Sequence, residues 1–229
     1  MYKAYYLLKK IKEKGEVKEE VKLNDVKRKV IQIFLKRFID IIFSLIALIV
    51  FFPGFIIIAI CIFVDSPGPI FFSQYRIGKE GRPFKMYKFR SMVPNAELLL
   101  SSLQEKNEVS GPMFKIKNDP RITRVGKFIR KTSIDELPQL WNVLKGEMSL
   151  VGPRPALPSE VNQYTKYQQN RLIIKPGCSG LWQVCGRSQV GFEKMIYLDL
   201  IYIREQNIFL DVVIILKTIN QMFYSKTAY

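Results

Sequence analysis

The sequence predicts a mostly helical α+β protein, in which a re-entrant membrane helix hairpin leads into a small cytoplasmic domain with a β-hairpin. Residues 38–64 form an almost continuous apolar run that is broken at Pro53-Gly54, and basic residues flank the run on both sides. Two β-rich segments and a series of helical patterns follow it. The predicted parts are a basic N-terminal segment at 1–35, a re-entrant membrane helix at 36–64 and a cytoplasmic domain with interfacial helices at 65–229.

The start of the N-terminal segment, residues 1–29, is rich in Lys and Glu, with scattered Leu and Val. We do not expect a secretory signal, because the apolar stretch begins only after Val30. The composition is typical of a solvated or surface-lying helix, and an interaction tail is the alternative.

The apolar run is long enough to cross a bilayer, since a straight helix over it reaches about 40 Å and the hydrocarbon core is about 30 Å thick. Pro53 removes a backbone donor and favours a kink, and Gly54 loosens the helix further. Basic flanks prefer the cytoplasm, and here both flanks are basic. We therefore favour a helix that enters the bilayer, bends at Pro53 and returns, over one that fully spans it.

The β-hairpin follows the turn cluster at 65–69. Two β-rich runs, 70–77 and 83–92, enclose a turn that is bounded by Gly78 and Gly81. The remainder is mainly helical, and its last helix packs on the domain or lies at the membrane interface. Candidate helices lie at 94–107, 122–131, 135–145, 158–174, 192–205 and 208–224.

Charge and composition narrow the function classes. Lys and Arg total 36 against 20 Asp and Glu, and the net charge of +16 favours a polyanionic partner such as anionic lipid, phosphorylated substrates or nucleic acid. The apolar fraction of 48% favours a membrane surface. Because the chain has no His, a Ser-His-Asp triad, a Cys-His pair and a His-ligated zinc site are excluded. Cys178 and Cys185 alone make a poor zinc or disulfide site, and Cys61 belongs to the apolar run.

The densest polar cluster, residues 130–139, contains the adjacent carboxylates Asp135 and Glu136. One interpretation is a helix start. Ser133 and Glu136 have capping-box spacing, whereas capping at Asp135 would place Pro138 in the first turn, and the register stays open. The other interpretation is chemical, with one carboxylate as a nucleophile and the other as a ligand of Mg²⁺, which takes one or two carboxylates with substrate phosphates. Arg130 and Lys131 are expected to keep Asp135 ionised.

Two loops carry groups that suit phosphate and nucleotide. Arg154 stands between Pro153 and Pro155, which present its guanidinium on a stiff backbone for paired contacts with phosphate oxygens. An ordinary surface loop is the alternative. The Gly-rich loop 175–187, with one Trp and one Arg, suits a nucleotide pocket but is neither a Walker A nor a dinucleotide fingerprint.

As an ordered set, these stretches resemble the bacterial sugar transferases, the monotopic polyprenyl-phosphate phosphoglycosyl transferases. The resemblance runs from about residue 36 to residue 217 and is highly specific as a set. The motifs that carry it are Lys36-Arg37-x-x-Asp40, the Pro-broken apolar run, Asp65-Ser66-Pro67-Gly68-Pro69-Ile70-Phe71-Phe72, Gln74-x-Arg76-x-Gly78, Lys88-Phe89-Arg90-Ser91-Met92, Asp119-Pro120-Arg121-Ile122-Thr123, Thr132-Ser133-Ile134-Asp135-Glu136-Leu137-Pro138-Gln139, Leu150-Val151-Gly152-Pro153-Arg154-Pro155 and Gly180-Leu181-Trp182-Gln183-Val184-x-Gly186-Arg187.

The resemblance implies transfer of a sugar-1-phosphate from a UDP-sugar to polyprenyl (undecaprenyl) phosphate, as the first membrane step of a bacterial glycan pathway. Asp135 matches the family's nucleophile, which holds the phosphosugar after UMP leaves, and Glu136 matches the Mg²⁺-associated acid. Arg130 and Arg154 are implied phosphate anchors, and the loop from Gly180 is an implied nucleotide contact. The full implied set of substrate-binding residues is Lys88, Arg90, Arg121, Arg130, Arg154, Gly180, Trp182, Gln183, Arg187 and Asp199.

The implied partners are a UDP-sugar, polyprenyl phosphate and the lipid bilayer, with Mg²⁺ as the cofactor. No nucleic-acid partner is expected, and homo-oligomer formation is left open. The implied location is the bacterial inner membrane, with the catalytic domain on its cytoplasmic face. We expect the small form of the family, without the large multispanning N-terminal region of longer relatives.

The sequence departs from the family pattern at three positions. Phe52 stands where Ser often precedes the helix-breaking Pro, and Cys178 and Cys185 replace commoner aliphatic and small polar residues. A non-catalytic basic membrane adaptor is the alternative function. The adjacent acids at 135 and 136 argue against it, because an adaptor has no need of them.

Overall fold

The structure is a computed structural model that describes residues 30–99, 101–108, 116, 118–186 and 191–224. One long helix, α1 (Val30–Asp65), contains the whole apolar run and continues through Pro53. Its most apolar window has a mean hydropathy of 3.1 and is almost entirely exposed, so by length and composition α1 can cross a membrane. The described part of the helix includes eight residues before the apolar run, and no helix-breaking residue separates the two. The predicted tail at 1–29 lies outside the described residues.

Both ends of α1 contact the domain that follows. Near its start, Arg37 donates to the carbonyl oxygens of Val143 at 2.6 Å and Leu144 at 2.8 Å. At its end, Asp65 accepts a bond of 2.9 Å from the backbone N–H of Val125. Helix α1 is therefore tied to the domain at its two ends, and its middle is left bare.

The predicted β-hairpin is confirmed. Strand β1 (Phe71–Ile77) pairs antiparallel with β2 (Pro83–Phe89), and Ile77 lies opposite Pro83 next to the turn. The turn places Glu80 at φ 58° and Gly81 at φ 76°. The hairpin brings residues 88–90 next to the end of α1.

The domain helices are mostly short. They are α2 (Arg124–Lys131), α3 (Gln139–Lys145), α4 (Pro158–Val161), α5 (Lys166–Gln169), α6 (Leu181–Cys185), α7 (Phe192–Glu205) and α8 (Ile208–Tyr224). The predicted boundaries of the last two helices, 192–205 and 208–224, are confirmed. Helix α2 begins at Arg124 because the Thr123 hydroxyl caps it and accepts from the N–H of Gly126.

Two predicted helices are wrong. Residues 94–99 form turns and Ser101–Lys106 a 3₁₀ helix, and Ser102 bonds the carbonyl three residues back, which favours the tighter turn. The predicted helix 158–174 is divided into α4, α5 and a 3₁₀ turn at Asn170–Ile173. The division lies at Thr165, whose extended backbone and hydroxyl start a new helix.

A second, parallel strand pair was not predicted. Strand β3 (Ser149–Val151) lies beside β4 (Gly177–Ser179). The backbones pass so closely that a Cβ on Gly177 would lie 2.0 Å from the nitrogen of Gly152. Both glycines are therefore required where the Arg154 loop meets the Gly-rich loop.

The largest hydrophobic core surrounds α7, whose residues from Met195 to Ile203 are buried except for Tyr197. Helices α6 and α8 and strand β3 pack on it. A smaller cluster joins Phe89 of β2 and Ile129 of α2 to Ile62 of α1. Burial of this cluster fixes β2 between α1 and the segment that carries Asp135 and Glu136.

Candidate active site

Asp135 and Glu136 lie in a 3₁₀ turn, Ile134–Glu136, between α2 and α3. Ser133 precedes the turn in the left-handed region, at φ 57° and ψ 17°, and its side chain makes no capping bond. The capping-box interpretation is therefore wrong. Capping at Asp135 is wrong as well, because α3 starts at Gln139 with Pro138 as its N-cap. The predicted helix 135–145 therefore begins only at Gln139, and both carboxylates lie in the 3₁₀ turn that precedes it.

Asp135 is buried, with 8% of its surface exposed. Burial, followed by the negative charge of Glu136, raises the pKa of Asp135 to about 6, while Lys88 and Arg130 oppose this shift. Arg130 thus attracts the Asp135 carboxylate as expected, but burial and the charge of Glu136 outweigh this attraction. A carboxyl with a pKa near 6 is still mainly ionised at neutral pH, so it retains a nucleophilic form.

Glu136 is half-buried and pairs with Lys88, whose Nζ donates to Oε1 at 2.6 Å. Lys88 belongs to β2, and the pairing of β2 with β1 positions its side chain beside the turn. Arg130, from the last turn of α2, donates from Nε to the hydroxyl of Ser91 at 2.7 Å. The turn therefore meets two cations that come from different elements.

Arg154 follows β3 on the Pro-flanked loop, where its Nη1 donates to Glu160 at 3.2 Å. Arg76 of β1 lies close by and donates to the carbonyl of Pro155 at 3.0 Å. Burial and then Arg154 lower the pKa of Arg76 to about 10, whereas Glu160 and Glu136 oppose this. Arg76 thus joins the Arg154 loop electrostatically to Glu136, although it was not among the predicted site residues. The motif Gln74-x-Arg76 was the available signal.

Asp199 lies beneath the Arg154 loop and is completely buried. Its carboxylate pairs with Arg171, which also donates to the backbone oxygen of Arg154 at 3.0 Å. Burial raises the pKa of Asp199 to about 6 against the attraction of Arg171. The structure thus gives Asp199 a supporting position under the loop, and its predicted contact with substrate stays a prediction.

Arg90 and Arg121 are also buried. Arg121 pairs with Asp119 at 2.6 Å and donates to the carbonyl of Ala96 at 3.1 Å. Arg90 donates to the backbone oxygen of Ser66, just after α1. These bonds fix the ends of loops, and substrate contact by either guanidinium stays a prediction.

The Gly-rich loop lies near Glu136. Gly180 precedes α6, and Gln183 donates to the backbone oxygen of Cys178 at 3.2 Å. Trp182 is half-buried and packs on the main core. Burial, and next to it the charge of Glu136, raises the pKa of the Cys178 thiol well above its usual value, so this loop lies within electrostatic range of Glu136. The predicted contact residue Arg187 lies outside the described residues.

Among the described residues, no group of three or more Asp, Glu or Cys side chains is arranged to hold a metal ion. The site instead offers the adjacent carboxylates Asp135 and Glu136. Mg²⁺ commonly binds to one or two carboxylates and completes its coordination with water and substrate phosphates. The donor set therefore fits Mg²⁺ when a phosphorylated substrate is also bound.

The chain is similar to known proteins over most of its length. The family model described as "Bacterial sugar transferase" matches residues 31–225. "Galactosyl transferase CpsE" of Streptococcus agalactiae is 49% identical over 80% of this chain and 41% of its own length. "Undecaprenyl-phosphate galactose phosphotransferase" of Salmonella typhimurium is 44% identical over 86% of this chain and 42% of its own length.

A third relative is similar over nearly its full length. "Exopolysaccharide production protein ExoY" of Sinorhizobium fredii is 36% identical over 85% of this chain and 88% of its own length. The chain spans about two-fifths of the length of the first two relatives. The match covers α1, the hairpin, the carboxylate turn and α8 together. This chain belongs to the bacterial sugar transferase family.

Proposed function

We propose that this protein transfers a sugar-1-phosphate from a UDP-sugar to polyprenyl (undecaprenyl) phosphate and releases UMP. Family membership and the name of the Salmonella relative support this reaction class. The observation that carries the proposal is the carboxylate turn, in which buried Asp135 is adjacent to Glu136 and within electrostatic range of Lys88 and Arg130.

In the first step, a carboxylate oxygen of Asp135 attacks the β-phosphorus of the UDP-sugar. The bond between this phosphorus and the bridging oxygen breaks, and UMP leaves with the electron pair. In the second step, a phosphate oxygen of the polyprenyl phosphate attacks the same phosphorus and releases the Asp135 carboxylate. Covalent catalysis thus divides one difficult transfer into two easier ones.

Positive charge offsets the phosphate charge in both steps. Lys88 and Arg130 lie next to the turn that carries Asp135 and Glu136. Arg76 is attracted by Glu136 of this turn and by Glu160, which also pairs with Arg154. Arginine binds phosphate oxygens in a planar, two-pronged arrangement, whereas lysine acts as a point charge. Cations held in place before the reaction stabilise a charged transition state without further reorganisation.

Glu136 would hold Mg²⁺ together with phosphate oxygens of the substrate. When bound, Mg²⁺ supplies positive charge that offsets the developing negative charge on phosphate. Its Lys88 partner keeps the Glu136 carboxylate at the rim of the site, where its side chain is 35% exposed.

The same proposal places α1 in the cytoplasmic leaflet as a re-entrant helix with the catalytic domain below it. A straight helix from Arg37 to Asp65 would be about 42 Å long. Both ends nevertheless bond to one small domain, at α3 and at the start of α2. Pro53, in the bare middle of the helix, is where a bend costs least, because it has no N–H to donate.

The test is to incubate purified protein with labelled UDP-sugars and Mg²⁺, without lipid acceptor, and to map the modified peptide by mass spectrometry. We expect a phosphosugar on Asp135 and none in Asp135→Asn, while the surface control Glu205→Gln keeps the adduct. An adduct on another residue, or full turnover without any adduct, would contradict the assignment. A non-catalytic adaptor would release no UMP from any UDP-sugar.

A further inference from the structure

A second site lies beside the first turns of α1. A cavity of about 160 Å³ opens there, far larger than the roughly 10–15 Å³ that one water needs. Asp135, Glu136 and the cations around them do not line it. The charged side chains that line this cavity are Lys36, Arg37, Asp40, Lys79, Lys175 and Asp211.

The two acids of the cavity are already engaged. Asp211 accepts from Lys36 at 2.7 Å and from the hydroxyl of Tyr202 at 2.6 Å. Asp40 accepts from the hydroxyl of Ser149 at 3.1 Å and from the N–H of Leu150 at 3.0 Å. Lys36 pairs with Asp211, and Lys79 pairs with Glu80 at 2.9 Å, so Arg37 and Lys175 face Asp40 and an excess of positive charge remains.

Two of the cations converge on one point. Both lie close to Gly146, which ends α3 at φ 85°. If this glycine carried a Cβ atom, that atom would lie 3.3 Å from Arg37 Nη2 and 3.4 Å from Lys175 Nζ. Arg37 is bound to the end of α3, but Lys175 Nζ makes no hydrogen bond or ion pair with another described residue. Burial and then Arg37 lower the pKa of Lys175. An anion between these groups would relieve their repulsion and replace the water that Lys175 has lost.

The cavity lies at the level where the chain enters the bilayer. Ile33, Lys36 and Arg37 line it, and the apolar run begins at the next residue, Phe38. Ile33 is 53% exposed, and Ile208 of α8 forms part of the opposite wall. A ligand with a phosphate in the cavity would therefore place acyl chains along apolar side chains. Basic pockets at the cytoplasmic ends of membrane helices bind lipid headgroups on this principle.

We propose that this cavity binds the phosphate headgroup of an anionic membrane phospholipid, at a site separate from both substrates. The bound lipid would hold the first turns of α1 against α8 and against the end of α3 at Gly146. The proposal rests on the membrane placement of α1 given above, and it does not depend on the transfer reaction.

The test measures binding of monomeric dioctanoylphosphatidylglycerol to the full chain in detergent by calorimetry. We expect saturable binding that is roughly fivefold weaker in Lys175→Gln and in Lys79→Gln, the loss typical of one lysine at an anionic surface. Lys175→Arg should keep most of the affinity. The matched control is Lys166→Gln, which removes an exposed lysine outside the cavity and should leave binding unchanged.

Three outcomes would overturn the proposal. Equal binding of dioctanoylphosphatidylcholine would show that the anionic headgroup is not recognised. Displacement by glycerol phosphate at similar concentrations would make the cavity a site for free phosphate, and displacement by UDP would make it part of the nucleotide site. UMP release is measured in parallel. A protein that binds the lipid but releases no UMP would contradict the proposed function and leave this inference standing.

Discussion

Asp135 and Asp199 are both buried aspartates whose pKa lies near 6, yet their surroundings differ. Asp135 shares a turn with another acid, and its cations come from side chains that also bind elsewhere. Asp199 forms a direct ion pair with Arg171, which is itself completely buried. The first arrangement suits the nucleophile proposed above, whereas the second supports the loop that carries Arg154.

The raised pKa of Asp135 predicts the acid limb of the pH–rate profile. The nucleophile must be ionised, so kcat/KM should fall as the pH decreases through about 6. Glu136→Gln removes the second cause of the shift, and any residual activity should therefore have an acid limb at lower pH. Rates of UMP release between pH 4.5 and 8 would show this. An acid limb near pH 4 in the unmodified protein would mean that Asp135 is not the titrating nucleophile.

The two aspartates should also differ in their effect on stability. Because folding raises the pKa of Asp135 above 3.8, the native state loses stability as the pH rises towards 6 and carries the full cost above it. Asp135→Asn should therefore raise the free energy of unfolding at pH 7.5, on the order of 1–3 kcal/mol. Asp199→Asn leaves Arg171 buried without its counter-charge and should cost about 3–5 kcal/mol.

Thermal unfolding of both variants at pH 5 and pH 7.5 would check this contrast. The gain in Asp135→Asn should shrink at pH 5, where Asp135 is already mainly protonated. Shifts of the same sign in the two variants at pH 7.5 would contradict the different roles assigned to them.

Among the elements, the long amphipathic segments were the ones that sequence could predict. Helices α7 and α8 have enough apolar positions at helical spacing to define their own ends, and Gly78 and Gly81 define the hairpin turn. Strands β3 and β4 have only three residues each, so no periodicity reveals them. In the candidate site, too, only features that are local in the sequence could be predicted. The adjacency of Asp135 and Glu136 is visible in the sequence, but the arrival of Lys88 depends on the pairing of β1 with β2.

The bent course proposed for α1 can be tested by labelling from one side of the membrane. Single cysteines at Ile31 and Arg82, both strongly exposed, should react with an impermeant maleimide from the cytoplasmic side only. Phe51→Cys, in the bare middle of the helix, should be protected by lipid on both sides. Each variant is made in a chain without its three native cysteines. Labelling of positions 31 and 82 from opposite sides would show that α1 spans the membrane.

In the whole molecule, α1 and the domain share one folded structure. Asp40 and Ser44 lie one turn apart on the face of α1 that is buried, and Asp40 binds both the side chain and the backbone of the β3 segment. At the other end of the helix, Ile62 completes a core with residues of β2 and α2. Helix α1 is thus a structural part of the domain.

Asp40→Ala should therefore destabilise the domain itself. The change leaves the hydroxyl of Ser149 and the N–H of Leu150 without their acceptor, and each buried donor left unpaired costs about 1–3 kcal/mol. The control is Ser44→Ala, because the Ser44 hydroxyl is buried without a partner among the described residues and its removal should be nearly neutral. Unfolding in detergent, followed by the helical circular dichroism signal, would compare the two variants. Equal losses would show that Asp40 acts only through packing.

The bond between Asp40 and Ser149 also constrains how the protein is made. The two residues are 109 positions apart, and α1 is synthesised first. At roughly 5–20 residues per second, the ribosome needs roughly 5–20 s after Asp40 has emerged to synthesise β3, which contains Ser149. During this interval the Asp40 carboxylate lies in an apolar segment without its two donors, and a carboxylate is costly wherever apolar surroundings exclude water. The buried face of α1 can therefore reach its final packing only after β3 has been translated.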